Sequence, residues 1–205
     1  MKALLLVDLQ NDFVVGGALA VRGGIEVINV ANQLMPHFDL VVATQDWHPA
    51  SHGSFASQHD NIQVGDTFEL DGLQQIAWPD HCIQETTGAE FVSDLNAKLI
   101  EEVVQKGTDP LIDSYSGFFD NGQRKSTGLE SLLRSREVKE VFVMGLATDF
   151  CVKYTALDAA ALGFATYLIL DGCRGVELQP GDVDRAISEM SNAGISITQS
   201  RQMVA

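Results

Sequence analysis

Ala3-Leu4-Leu5-Leu6-Val7-Asp8 decides the fold. Five apolar residues end abruptly at an acid, which is the length and texture of a buried strand in a parallel sheet. The run is too short for the apolar region of about 7 to 15 residues in a secretory signal. Similar runs recur at Leu40 to Thr44, Glu101 to Gln105, Glu140 to Met144, Thr166 to Leu170 and, more weakly, Ile195 to Thr198. Helical periodicity is expected in Ile25 to Met35, Phe91 to Leu99, Thr127 to Arg136, Asp149 to Leu162 and Asp182 to Ala193. Glu101 to Gln105 reads either as a strand or as a continuation of the helix before it. The alternation predicts an α/β fold: a doubly wound sheet of about six mostly parallel strands with helices on both faces, forming a single domain over residues 1–205.

Composition narrows the function. The 205 residues are 45% hydrophobic, enough to build one core of that size. Thirteen basic against 28 acidic side chains leave a net charge of −15, which repels phosphate backbones and anionic lipid. Neither a nucleic-acid nor a membrane partner is expected, and every apolar stretch is interrupted well before the roughly 20 residues of a membrane helix. Cys82, Cys151 and Cys173 are odd in number and lack CxxC spacing, which argues against a disulfide framework or a four-thiolate zinc site and predicts a cytoplasmic setting.

Between residues 46 and 90 regular periodicity fades over a stretch longer than an ordinary loop. It carries Trp47, Trp78, His48, His52, His59 and His81 and reads as an ordered excursion that builds a site. A second irregular piece, Asp113 to Lys125, holds Tyr115, Phe118 and Phe119.

Ligands of open parallel sheets bind outside the carboxyl ends of the strands. Asp8, Asp46, Lys106 and Cys151 all fall at or just beyond such ends, so one rim is expected to hold a nucleophile, an acid and a cation. Cys151, expected in the first turn of a helix, would feel unpaired N–H groups that favour a thiolate and stabilise an oxyanion. A carboxylate can take the sulfur's proton, and a lysine keeps that carboxylate ionised. Singly, each residue has a plain reading as core thiol, cap or surface amine; together they are harder to explain by packing.

Asp46-Trp47-His48 offers a second constellation. Residues i and i+2 of an extended segment share a side, so Asp46 and His48 can meet one ion, with His81 of Trp78-Pro79-Asp80-His81-Cys82 as the third ligand. Three N and O ligands leave room for water or substrate, as catalytic metal sites do. His52, His59, Cys82 and Ser54 are alternative or additional ligands that spacing does not separate, and histidines that only hydrogen-bond within a loop are the plain alternative.

These segments, with Val7-Asp8-Leu9-Gln10-Asn11-Asp12-Phe13, Gln105-Lys106-Gly107, Tyr115-Ser116-Gly117-Phe118 and Gly145-Leu146-Ala147-Thr148-Asp149-Phe150-Cys151-Val152, resemble the nicotinamidases of the isochorismatase-like cysteine hydrolase family. The resemblance runs from about Lys2 to the final strand. It implies hydrolysis of nicotinamide to nicotinate and ammonia through a thioester, in NAD salvage, with pyrazinamide as a further substrate. It implies a triad of Asp8, Lys106 and Cys151, and an oxyanion hole from the N–H groups of Ala147 and Cys151 beside a cis bond after Leu146. Phe13, Trp78 and Tyr115 match positions around the substrate ring. Asp46, His48 and His81 match ligands of one divalent ion, with zinc first and iron or manganese accepted by the same donors. A homo-oligomer is compatible with the sequence. Three alternatives stand beside this reading: a cysteine hydrolase for another small amide, a phosphoacceptor domain with acids after the first strand, and a binding protein without turnover.

Overall fold

The computed structural model describes residues 1–203. Its main sheet has the order β5-β2-β1-β6-β7-β8, with every pairing parallel. The strands are β1 Lys2–Val7, β2 Leu40–Asp46, β5 Glu102–Lys106, β6 Glu140–Leu146, β7 Ala165–Arg174 and β8 Ser196–Thr198. The helices are α1 Glu26–Leu34, α2 Leu129–Ser135, α3 Lys153–Ala161 and α4 Asp182–Asn192. From β1 the chain steps outward to β2 through α1, and from β6 it steps the opposite way to β7 through α3. Right-handed crossovers therefore put α1 on one face and α3 and α4 on the other. Beyond Lys2, every residue of β1 is buried, and so is all of β2, because both faces of the central strands are covered.

Strand order reverses between β1 and β6, which makes their carboxyl ends the switch point of the sheet. Asp8 follows β1, and the turn that carries Cys151 follows β6. The two strands pack without a side chain between them at Gly145: its φ of +129° suits glycine, and a methyl there would overlap the Val7 carbonyl.

The ambiguous run at Glu101 to Gln105 is strand β5, paired with β2. The predicted helix at Phe91 to Leu99 is not formed. Phe91 instead bridges to Gln10, the Val92 N–H donates to the Leu9 carbonyl at 3.0 Å, and only Ala97–Leu99 makes a single 3₁₀ turn. The Asn32 amide of α1 donates to the Asp94 carbonyl and accepts from the Asn96 N–H, both at 2.8 Å, so tertiary partners satisfy the backbone that a helix would have used. Val92 and Leu95 are buried as a helical face would bury them, but from a loop. The predicted helix from Asp149 is also divided: Thr148–Val152 forms a kinked turn with Phe150 at φ −125°, ψ −105°, and regular helix starts at Lys153.

The excursion contains an unanticipated hairpin, β3 Thr67–Leu70 and β4 Leu73–Ile76, closed by Asp71-Gly72, both at positive φ. That dipeptide is a hairpin signal in its own right.

Candidate active site

Asp46 and Lys106 are register partners on β2 and β5, so their side chains rise from the same face of the sheet. Thr44, two residues earlier on β2, shares that face. Asp8 leaves β1 at φ +50°, a left-handed backbone that aspartate tolerates better than most residues, and its Oδ1 accepts from the Thr44 hydroxyl at 2.5 Å. Lys106 Nζ then joins everything. It lies 2.9 Å from Asp8 Oδ2, 3.0 Å from Asp46 Oδ1 and 3.5 Å from Cys151 Sγ, and it donates to the Ser114 carbonyl at 2.9 Å. The ammonium side chain is wholly buried.

An ammonium without water needs counter-charge, and the shifts follow from that. Burial opposes a charge on Lys106, yet Asp46 and Asp8 outweigh it and hold the amine well above its ordinary range. Burial likewise opposes ionisation of Asp46, but His48 and Lys106 keep its carboxyl well below the usual value. Asp8 goes the other way, because burial raises it further than Lys106 lowers it. Cys151 differs from the sequence-based expectation of a favoured thiolate. Burial pushes its thiol well up, and Lys106 offsets this only in part against Asp8 and Asp46. The kinked turn, rather than a regular first helical turn, carries the sulfur.

The histidines form the other half. His48 Nδ1 lies 2.8 Å from the Gly107 carbonyl, and His81 Nδ1 lies 2.8 Å from the Pro79 carbonyl. A carbonyl only accepts, so each Nδ1 carries hydrogen and each neutral ring aims the Nε2 lone pair elsewhere. Both lone pairs face Asp46 Oδ2, at 3.1 Å from His48 and 3.5 Å from His81, and His48 Nε2 is buried with no hydrogen-bond partner. Burial resists charge on His48, but Asp46 outweighs it and raises the affinity of the ring for a proton. Two imidazole lone pairs and a carboxylate oxygen converging on one point, each ring fixed from behind by a carbonyl, is a donor set that fits a divalent ion.

His52 packs against His48, with ring centroids 4.2 Å apart. Its Nδ1 bonds Ser54 Oγ at 2.7 Å, while its Nε2 is buried without a partner. Burial, then His48, push its imidazole down to about 4. His59 turns away, bonding the Gly53 carbonyl at 2.7 Å. Cys82 is buried next to His81, its thiol pushed well up by burial.

A narrow cavity of about 30 Å³ opens between the two halves, lined by Asp46 and His81 on one side and Cys151 and Ala147 on the other. Phe13, Trp78 and Tyr115 wall it. Trp78 Nε1 donates to Tyr115 Oη at 3.1 Å, which fixes two of the rings. The Leu146–Ala147 peptide is cis. The wall also holds residues without an assigned role in the sequence reading: Phe150, edge-on to Trp78 with centroids 5.0 Å apart, and Asp113, which has a carboxylate oxygen within 4.8 Å of a ring nitrogen of His48 and of His52. Phe150 is adjacent to Cys151 in sequence, and Asp113 opens the second irregular segment, so position alone could have flagged both.

Comparison with known proteins places the whole chain in one family. The isochorismatase domain model matches residues 2–202. A nicotinamidase of Escherichia coli (strain K12) is 54% identical over 200 residues, 96% of this chain and 93% of the relative. Among solved structures, a nicotinamidase/pyrazinamidase from Acinetobacter baumanii superposes with a TM-score of 0.96 at 44% identity, covering 98% of this chain and 97% of that one. A pyrazinamidase of Pyrococcus horikoshii, solved in complex with zinc, has a TM-score of 0.79 at 39% identity over 97% and 98% of the two chains. The domain model and the identity to these relatives show that the chain belongs to the isochorismatase family.

Proposed function

We propose that this chain is a metal-dependent cysteine amidohydrolase that converts nicotinamide to nicotinate and ammonia. One observation carries the reading: a single buried ammonium touches Cys151, Asp8 and the candidate metal ligand Asp46. The names of the relatives support the substrate. Pyrazinamide, which also has a ring nitrogen and a carboxamide, is the second substrate expected. Salvage of nicotinamide towards NAD is the setting that the resemblance implies.

In the resting site the sulfur keeps its proton, because burial disfavours the thiolate. Asp8, with its affinity for a proton raised, accepts that proton as Cys151 Sγ bonds to the carboxamide carbon. The carbonyl electrons move to oxygen, and N–H groups of Ala147 and Cys151 hold the oxyanion. The carbon–nitrogen bond then breaks as Asp8 returns the proton to nitrogen, and ammonia leaves. Water gives a proton to Asp8 and its hydroxyl to the thioester; the carbon–sulfur bond breaks, the sulfur recovers its proton, and nicotinate departs. Lys106 stays charged throughout and compensates the negative charge passed between sulfur and carboxylate.

Asp46, His48 and His81 would hold the divalent ion, with zinc the first candidate because the Pyrococcus horikoshii relative was solved with it. When bound there, the ion would supply Lewis acidity to a substrate with a ring nitrogen. Phe13, Trp78 and Tyr115 pack around the ring and exclude water. Ammonia release from nicotinamide, measured before and after chelation, tests substrate and metal together: no release from the metal-loaded protein overturns the activity, and undiminished release after complete metal removal overturns the metal dependence. Benzamide lacks the ring nitrogen and is expected to react far more slowly. Equal rates on the two amides would favour an enzyme for some other small amide.

A further inference from the structure

The segment that leaves β1 carries more than the acid at its first position. Where β1 ends at Val7, β2 continues for three residues past its last pairing at Ala43, so the side of Asp46 that faces β1 has no strand beside it. The Gln10 side chain takes that place. Its Oε1 accepts from the Asp46 N–H at 2.8 Å, and its Nε2 donates to the Asp46 carbonyl at 2.8 Å and to the Ala89 carbonyl at 2.9 Å. A fully buried side-chain amide thus reproduces both bonds of a strand partner, and Lys106 on β5 occupies the opposite side.

Two residues on, Asp12 does the same for the other ligand loop. Its Oδ2 accepts from the Cys82 N–H at 2.7 Å and its Oδ1 from the Ala18 N–H at 3.1 Å. Cys82, at φ +46°, is next to His81, and its carbonyl accepts the His48 N–H at 3.0 Å. Asp12 therefore holds the N–H of Cys82, the residue that follows His81 in the chain and bonds His48 through its carbonyl. Gly88 leaves the room for it, since a methyl there would overlap the Asp12 carboxylate.

We infer that Gln10 and Asp12 are positioning residues of the metal centre: Gln10 sets the main chain of Asp46, Asp12 sets the spacing of His48 and His81 through Cys82, and neither touches the ion. Asp8, Gln10 and Asp12 alternate along a single segment, so the acid of the triad and the frame of the ligand set move as one piece. The inference rests on the metal reading above.

The test is zinc affinity, measured by competition with a chromogenic chelator on the full chain, together with thermal unfolding of the metal-free protein. Gln10→Leu removes three bonds and is expected to weaken zinc about 10- to 100-fold, the range seen when outer-shell partners of ligands are lost. Gln10→Glu and Asp12→Asn keep size and shape and are expected to weaken it in the same direction, so they report the result even where Gln10→Leu does not fold. Gln45→Leu is the control: Gln45 also donates to the Ala89 carbonyl, at 2.9 Å, without bonding the main chain of Asp46. Zinc affinity within twofold of the parent in all three variants, or a loss that Gln45→Leu reproduces, overturns the inference. A parent protein that takes up no zinc overturns the metal reading instead.

Discussion

Lys106 Nζ sits 3.0 Å from Asp46 Oδ1, and the two residues are register partners on adjacent parallel strands. This pair joins the candidate triad to the candidate ligand set, since the same ammonium reaches Asp8 and Cys151. Lys106→Met leaves two buried carboxylates facing one another without a counter-ion. Breaking a buried pair in this way costs about 3–5 kcal/mol. Urea denaturation should show that loss along with abolished turnover; a variant as stable as the parent would mean the ammonium is not the counter-charge proposed for it.

Cys151→Ala removes the sulfur but none of the charges around Lys106. Turnover of nicotinamide is expected to fall by about 10⁴-fold or more, in line with nucleophile deletions elsewhere, while zinc content stays at the parent level. Activity close to that of the parent would place the nucleophile elsewhere.

His48→Ala and His81→Ala each delete one converging lone pair. Both are expected to lower zinc retention after dialysis and to raise the KM for nicotinamide, whereas Cys151→Ala leaves retention alone. Unchanged metal content in both histidine variants would remove these residues from the site.

Gly107 is at φ +64°, and its carbonyl fixes the His48 ring from behind. A methyl at this position would overlap His48 Cε1 and Nδ1. Gly107→Ala is therefore expected to displace the ring and reduce zinc affinity at least about tenfold, as loss of an outer-shell partner does, with the fold retained by circular dichroism. An affinity equal to that of the parent would show that the ring tolerates the shift.

His52 titrates at about 4 in the folded protein, against an ordinary value of 6.5. Between those values the unfolded chain binds a proton that the folded chain refuses, so this residue makes stability fall as pH drops from 6.5 towards 4. The loss is of order 3 kcal/mol at full extent. After chelation, His52→Asn should flatten the stability profile over that window in urea titrations. Parallel profiles for variant and parent would show that His52 is not held neutral.

Apolar runs of strand length such as the one that ends at Asp8, and the amphipathic stretches between them, identified the doubly wound sheet without any tertiary information, although Glu101 to Gln105 stayed open between strand and helix. Strand burial and helical amphipathicity are written locally, at periods of two and 3.6 residues. The same rule misread Phe91 to Leu99, where Val92 and Leu95 have helical spacing but Asn32 and Leu9 supply the backbone partners. The residue types for acyl-transfer and metal chemistry were also visible in the motifs. Their meeting was not, because it depends on strand order and register: Lys106 is 60 residues from Asp46 and 45 from Cys151, and Gln10 is 36 from the main chain it supports. No local period carries such distances. The chain alone therefore determined the sheet, most of its helices and the reactive groups at strand ends, whereas the tertiary structure decided that one buried ammonium joins them, since only the parallel pairing of β2 with β5 and the switch between β1 and β6 bring those ends to one point.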